Sequence, residues 1–327
     1  MANDKDATGI MNMNTLVKTL AFALGVGFVL PAQAQMVGLA TTTGGATEQL
    51  AMHLAKVLSE TTDLTMRPQV MANTSQYIPQ INLGRIEMGI ANFPQVSHAV
   101  QGIGMSEGDP NPNLVMLASI IPFNAGIVVP ESTGIATLAD LKGRKVPQFP
   151  KNSLGEFFFT AAMETAGVTY ADVQGVPTAN FAQQFKNVKD GTTEVTIGSV
   201  GAQSIMDVEA SAGKVRYLSF KPGDEAILSK YLPGTNLKTW GDRPAAAGMT
   251  PETTVLFYDY TLFGHKDLPA EVVTKVLAAL YDNPEVVKQG GPLWGEYDPA
   301  MLAHVTTLPY HPAAEAFYRE KGIWGGK

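Results

Sequence analysis

The chain contains no cysteine. Disulfides, thiolate metal sites, a catalytic thiol and a lipid anchor on an N-terminal cysteine are therefore excluded. Basic residues are in the minority: 23 Lys and Arg against 30 Asp and Glu leave a net charge of −7. A nucleic-acid partner calls for a basic surface, so none is expected. No block of like charge marks a tail or a polybasic patch. The five histidines, His53, His98, His265, His304 and His311, form neither a His-Glu-x-x-His motif nor any close paired metal spacing. Without cysteine, a zinc site would have to draw on these and on scattered carboxylates. No metal and no cofactor is expected. Tandem repeats and low-complexity tracts are absent as well.

Long apolar runs are scarce, with one exception at the start. Lys18 is followed by LAFALGVGFVL at Leu20–Leu30, then Pro31 and Ala32-Gln33-Ala34. A charged beginning, a short hydrophobic stretch and a small-x-small site make a secretory signal. The run is too short to anchor the chain across a bilayer. Residues 1–34 are read as a signal peptide cleaved before Gln35. The polar stretch Met1–Ile10 is unusual before a signal, and Met11 or Met13 would serve as an alternative start. Removing 1–34 leaves the net charge unchanged, because Lys5 and Lys18 balance Asp4 and Asp6. The mature protein is expected outside the cytoplasm, in a periplasm where one exists.

A chain of 327 residues, 45% hydrophobic and 16% charged, has enough apolar material for two lobes. The mature part opens on an apolar strand, Met36–Ala40, and a threonine/glycine loop, Thr41–Thr47. Leu50, Leu54, Val57 and Leu58 then recur at helical spacing. An extended stretch at Met66–Met71, a loop Asn73-Thr74-Ser75 and a helix to Leu83 follow, with Pro79 awkwardly inside that helix. Met88–Ala91 is a third strand ending at Asn92, and Pro94 suits the first turn of the next helix. Strands alternating with helices predict an α/β fold with doubly wound, mainly parallel sheets. Leu114–Pro130, two apolar runs broken at Pro122–Gly126, reads as the exit to a second lobe. That lobe repeats the pattern: a strand at Lys145–Phe149, a loop Pro150–Gly155, a helix Glu156–Ala166 and a strand Glu194–Ile197. Thr254–Phe263 returns the chain, and helices near Ala270–Tyr281 and Ala313–Lys321 close it. The expected division is 36–128 plus 255–327 for lobe 1 and 129–254 for lobe 2.

Five loops share one position. Those beginning near Thr41, Asn73, Asn92, Pro150 and Gly198 each follow the carboxyl end of a predicted parallel strand and open a helix. Open α/β sheets bind ligands at that edge. Helix starts add unpaired N–H groups and the positive end of the dipole, which together favour an anion. The candidate ligand contacts are Thr42, Thr43, Gly44, Ser75, Asn92, Asn152, Ser153 and Ser199. The bland reading for each hydroxyl is a helix cap or turn.

Several phrases resemble the solute receptors of the TAXI subfamily of TRAP (tripartite ATP-independent periplasmic) transporters. They are the loop at Thr41–Gly45, Ser75, LGRIEMGIAN at Leu83–Asn92, STGIATLADLKGRKV at Ser132–Val146, ETAGVTYADV at Glu164–Val173 and KDG at Lys189–Gly191. The closing LPYHPAAEAFYREKGIW at Leu308–Trp324 is the most specific, above all in combination with the first loop. The resemblance implies a two-lobed, type II periplasmic-binding-protein fold with the ligand cleft between the lobes. It further implies a monomer that delivers a small organic anion, such as a glutamate-like or 2-oxo acid, to an ion-gradient-driven permease. Of the candidate contacts, Thr42–Gly44, Ser75 and Ser153 match the family's motifs; Asn92, Asn152 and Ser199 rest on spacing. The chain departs from the family at Thr47 and Glu48, where paired tyrosines are usual, at Asn152–Gly155 in place of Gly-Ser-Gly-Thr, and at Glu194 and Val195. Phe149 and Leu154 would make this cleft more apolar, and Glu48 would repel or orient a charged group.

Two alternatives stand beside this reading: an ABC-type receptor for a sulfonate or related anion, and a secreted enzyme on the same fold. Against the enzyme, GSVG at Gly198–Gly201 is not a nucleophile elbow, and GIGMSEG at Gly102–Gly108 lacks the strand–helix setting of a dinucleotide site. Phe157–Phe159 reads as helix core, His311 as a structural residue of the closing turn, and His98 as the one histidine near the cleft edge. N-terminal sequencing of the exported protein should find Gln35 first; an intact Met1 would refute the signal.

Overall fold

The computed structural model describes residues 35–304 and 307–325, so the expected signal segment lies outside the described residues. The chain runs β1 (Gln35–Thr42), α1 (Gly45–Thr61), β2 (Leu64–Met71), α2 (Thr74–Asn82), β3 (Met88–Asn92), α3 (Phe93–Gln101) and β4 (Leu114–Pro130). It continues through β5 (Lys145–Gln148), α4 (Leu154–Glu164), β6 (Gln174–Pro177), α5 (Phe181–Lys189), β7 (Thr196–Ser199), α6 (Gln203–Ala212) and β8 (Val215–Leu218). The last elements are α7 (Glu225–Tyr231), β9 (Asn236–Thr239), β10 (Thr254–His265), α8 (Ala270–Asp282), α9 (Pro284–Lys288) and α10 (Pro312–Glu320). No helix among the described residues is long and apolar enough to cross a membrane.

The strand–loop–helix units at the start form as the periodicity requires. Leu50, Leu54, Val57 and Leu58 are all buried on one face of α1, where the stripe lies against the sheet. β1 pairs in parallel with β2 on one side and β3 on the other. Pro79 does sit inside α2, a helix of only nine residues. It removes one helical donor, and the burial of Tyr77, Ile78 and Ile81 holds the turn in place. Tyr77 adds a hydrogen bond from its hydroxyl to the Ile90 carbonyl, 2.7 Å away inside the core.

The centre of the molecule departs from a mainly parallel sheet. Leu114–Pro130 is one unbroken strand of 17 residues, buried throughout except for half-buried Pro122. β4 pairs antiparallel with β10. At one end β10 also pairs antiparallel with β3; at the other, β4 carries β7 and β8, and β10 carries β9, all antiparallel. The reason is topological: a strand that leaves one half of the molecule and a strand that returns to it must run in opposite directions. β7 is therefore not a parallel strand as the sequence reading had it, whereas β5 and β6 form a separate parallel pair. The register shifts between Tyr260 and Thr261 and between Leu262 and Phe263 leave Ile120 and Leu117 unmatched on β4. Such bulges bend a strand. They lie just before Pro122, where the missing N–H is also accommodated.

Candidate functional site

The parallel strands β1, β2 and β3 end at one edge, and the starts of α1, α2 and α3 gather there. A cavity of about 170 Å³ opens at this edge. One wall is Thr42, Asn73, Thr74, Ser75, Asn92 and Gln95; the facing wall is the segment Phe149–Gly155 with Phe181, and Met105 and Ser106 form part of the rim. A smaller space of about 30 Å³ shares Thr47, Asn92, Leu154 and Phe181 with it and reaches in among Phe123, Phe158, Phe185 and Tyr258.

Of the eight candidate contacts, Thr42, Ser75, Asn92, Asn152 and Ser153 line the larger cavity. Gly44 and Ser199 line the smaller one, where Asn92 appears again. Thr43 lines neither: it is exposed, and its backbone N–H donates to the Met71 carbonyl at 2.8 Å. Sequence reasoning left out Asn73, Thr74, Gln95 and Phe181. Gln95 had a usable signal, since it stands three residues after the helix-start residue Asn92, the spacing at which a side chain turns back to the cap. Phe181 had none, because it comes from an element distant in sequence.

Two polar atoms in the first wall are buried and have no hydrogen-bond partner: Thr42 Oγ1 and Asn92 Oδ1. Their residues are only 6% and 3% exposed. The Asn92 amide donates to Gln95 Oε1 at 3.2 Å, and the Gln95 amide donates to the Thr74 hydroxyl. Turning both amides over keeps this chain whole, with Thr74 as donor, and leaves the Asn92 NH₂ unpartnered in place of its oxygen. The wall can thus offer either a donor or an acceptor. Neither α2 nor α3 has a side-chain cap.

Two other helix starts are already engaged. The Gly44 N–H before α1 donates to Glu48 Oε2 at 2.6 Å. Before α4, the Asn152 N–H donates to Glu156 Oε2. Ser153 is the N-cap of α4, accepting from the Glu156 N–H at 3.3 Å and donating its own proton to the Pro150 carbonyl at 2.6 Å. Two glycines open α1 for a steric reason. Gly44 and Gly45 have φ of 75° and 72°, and a Cβ on Gly44 would lie 3.0 Å from the Ala182 side chain of α5. Asn152 holds a left-handed φ of 62° at the matching turn before α4.

Among the histidines, none lines either space. His98 is buried behind the rim, accepts the Met105 N–H on Nδ1 at 3.1 Å and packs edge-on against Phe157 of α4. Burial lowers its pKa and keeps the ring neutral. His311 caps α10 through Nδ1. Burial raises the pKa of Tyr258, so its phenol stays protonated. No group of three or more His, Asp or Glu among the described residues could hold a metal ion.

Residues 39–322 match the NMT1-like family. The chain belongs to that family. The TAXI assignment rests on the sequence motifs alone. Among solved structures, the chain is similar to PhnD1 of Prochlorococcus marinus in complex with methylphosphonate, at 11% identity and a TM-score of 0.52 over 89% of this chain and 99% of that one. It is also similar to a binding protein component of an ABC phosphonate transporter from Pseudomonas aeruginosa, at 9% identity and a TM-score of 0.53 over 81% and 80% of the two chains. The fold is accordingly that of the type II periplasmic binding proteins, with the long β4–β10 pair at its centre.

Because both hydrogen-bonding functions of Ser153 go to its own turn, Ser153→Ala should act as the loss of a cap. It should cost about 0.5–2 kcal/mol in urea unfolding and leave anion affinity within about threefold in calorimetry.

Proposed function

We propose that this protein is an extracytoplasmic solute-binding protein that captures a small organic anion in the cavity at the starts of α2 and α3 and delivers it to a membrane transporter. One observation carries the reading: Thr42 and Asn92 line the cavity beside two uncapped helix starts, and each carries a buried side-chain oxygen without a partner. A buried polar atom without a partner costs about 1–3 kcal/mol, and a ligand that pairs with it recovers that cost. Each helix start adds about 0.3–1 kcal/mol for a nearby negative charge. Lys151, exposed on the facing loop, supplies a cation. The lobes proposed are 36–128 with 255–327, and 129–254, crossing through β4 and β10 and closing on the ligand as a hinge. Nothing in the cavity pairs a nucleophile with a base, which supports binding over catalysis.

For the transporter, one fold neighbour holds methylphosphonate and the other is a binding component of an ABC phosphonate transporter. They support an ABC-type partner and a phosphonate- or sulfonate-like head group better than an ion-gradient permease. The closing motif Leu308–Trp324 is what still supports the TRAP reading. Uptake assays in cells carrying the neighbouring transporter genes decide between them: uptake that survives an ionophore but stops on ATP depletion identifies the ABC partner, and the reverse identifies TRAP.

Thr42→Val tests the site itself. Valine keeps the shape and removes an unpartnered hydroxyl, so stability should be unchanged or higher. Affinity for the anion should fall about tenfold, or ~1.4 kcal/mol. Unchanged affinity in calorimetry would remove Thr42 from the ligand shell.

A further inference from the structure

We infer that the ligand has a single anionic head and an apolar body, and that dicarboxylates are turned away by the protein's own Glu48 and Glu156. This deepens the anion-capture reading and rests on it. Five helix starts border the two spaces; that of α5 is capped by the Asn180 side chain, and the other four divide by what already occupies them. At α2 and α3 no side chain caps the helix, and the orphaned Thr42 Oγ1 and Asn92 Oδ1 stand beside them. At α1 and α4 a carboxylate from the helix's own first turn holds the N–H just ahead of it, Glu48 on Gly44 and Glu156 on Asn152. A second ligand carboxylate reaching for either terminus would meet a negative charge already in place.

The remaining direction is apolar. From Asn92 and Leu154 the smaller space runs among Phe123, Phe158, Phe181 and Tyr258. The Tyr258 hydroxyl there is buried and unpartnered. The polar side chains there, Tyr258 with Thr47, Asn92 and Ser199, are all neutral; they can meet a neutral polar group but do not offset the desolvation of a carboxylate. Lys151 is the single charged residue among those that line the two spaces, enough to match one negative charge. At about 170 Å³ and about 30 Å³, the two spaces fall well under the roughly 300–1,000 Å³ of sites for drug-sized ligands. They suit a short chain.

Calorimetric titration of the purified protein with short straight-chain monocarboxylates and alkylsulfonates, each matched to the dicarboxylate of equal carbon count, tests this. At least one monoanion should bind, and its matched dicarboxylate should bind at least about tenfold more weakly. Glu48→Gln or Glu156→Gln should narrow that gap by strengthening the dicarboxylate about tenfold while moving the monoanion less than about threefold. A dicarboxylate that binds wild-type protein as tightly as its monoanion, or a gap that neither variant narrows, overturns the single-head inference and leaves anion capture standing. If no member of either series binds while neutral amides or amines do, anion capture itself fails, and this inference with it.

Discussion

The antiparallel pairing of β4 with β10 is the constraint on which the remainder of the molecule hangs. Between them the two strands serve two sets of neighbours: at one end β10 carries β3, and beyond it β1 and β2; at the other β4 carries β7 and β8, and β10 carries β9. Sixteen of the seventeen residues of β4 are buried, so the pair is covered on both faces and cannot separate without exposing the core on either side. The two bulges that skip Ile120 and Leu117 fall beside Pro122, within the stretch where β10 also pairs with β3. The proposed closure of the two lobes would have to bend this strand pair.

The same arrangement decides what the cavity can be. Because β1, β2 and β3 are parallel, their carboxyl ends lie together, and three helix starts arrive at one edge with their dipoles pointing the same way. Left alone, that edge would attract anions without discrimination. Glu48 and Glu156 remove two of the positive ends from competition, and they do so from the first turn of their own helices. What is left is a polar wall whose Asn92–Gln95–Thr74 chain can present a donor or an acceptor. Its counterpart is an aromatic recess a few side chains away.

Local signals carried far in this sequence. The spacing of Leu50, Leu54, Val57 and Leu58, the strand ending at Asn92, and the proline at the start of α3 placed the α/β units and their loops correctly. Five of eight proposed contacts line one cavity because they sit at strand ends, where topology gathers side chains whatever their identity. The limits were of two kinds. Strand direction is not written in composition: the apolar run Leu114–Pro130 looked interrupted because Pro122 breaks a helix or an ideal strand, and only the bulges on β4 show how one strand absorbs it. Hydrogen-bond allegiance is not written there either. Ser153 looked like a ligand donor and is committed to Pro150 and Glu156, whereas Gln95 looked like an ordinary helix residue and holds the one amide that orients Asn92.

Folding alone does not account for Thr42 and Asn92. A valine or a leucine at either place would remove an unpartnered buried atom and relieve a cost of about 1–3 kcal/mol. Several polar groups nearby in the interior have partners: Tyr77 reaches the Ile90 carbonyl, Thr261 the Ala91 carbonyl, and Gln95 the Thr74 hydroxyl; others, among them Ser119 Oγ, Asn124 Oδ1 and Trp294 Nε1, have none. Thr42 and Asn92 are set apart from those by lining a cavity with the starts of α2 and α3, facing a loop that brings Lys151. An unpaired buried polar atom calls for an explanation, and in the function proposed for this cavity a bound solute would supply the missing partner.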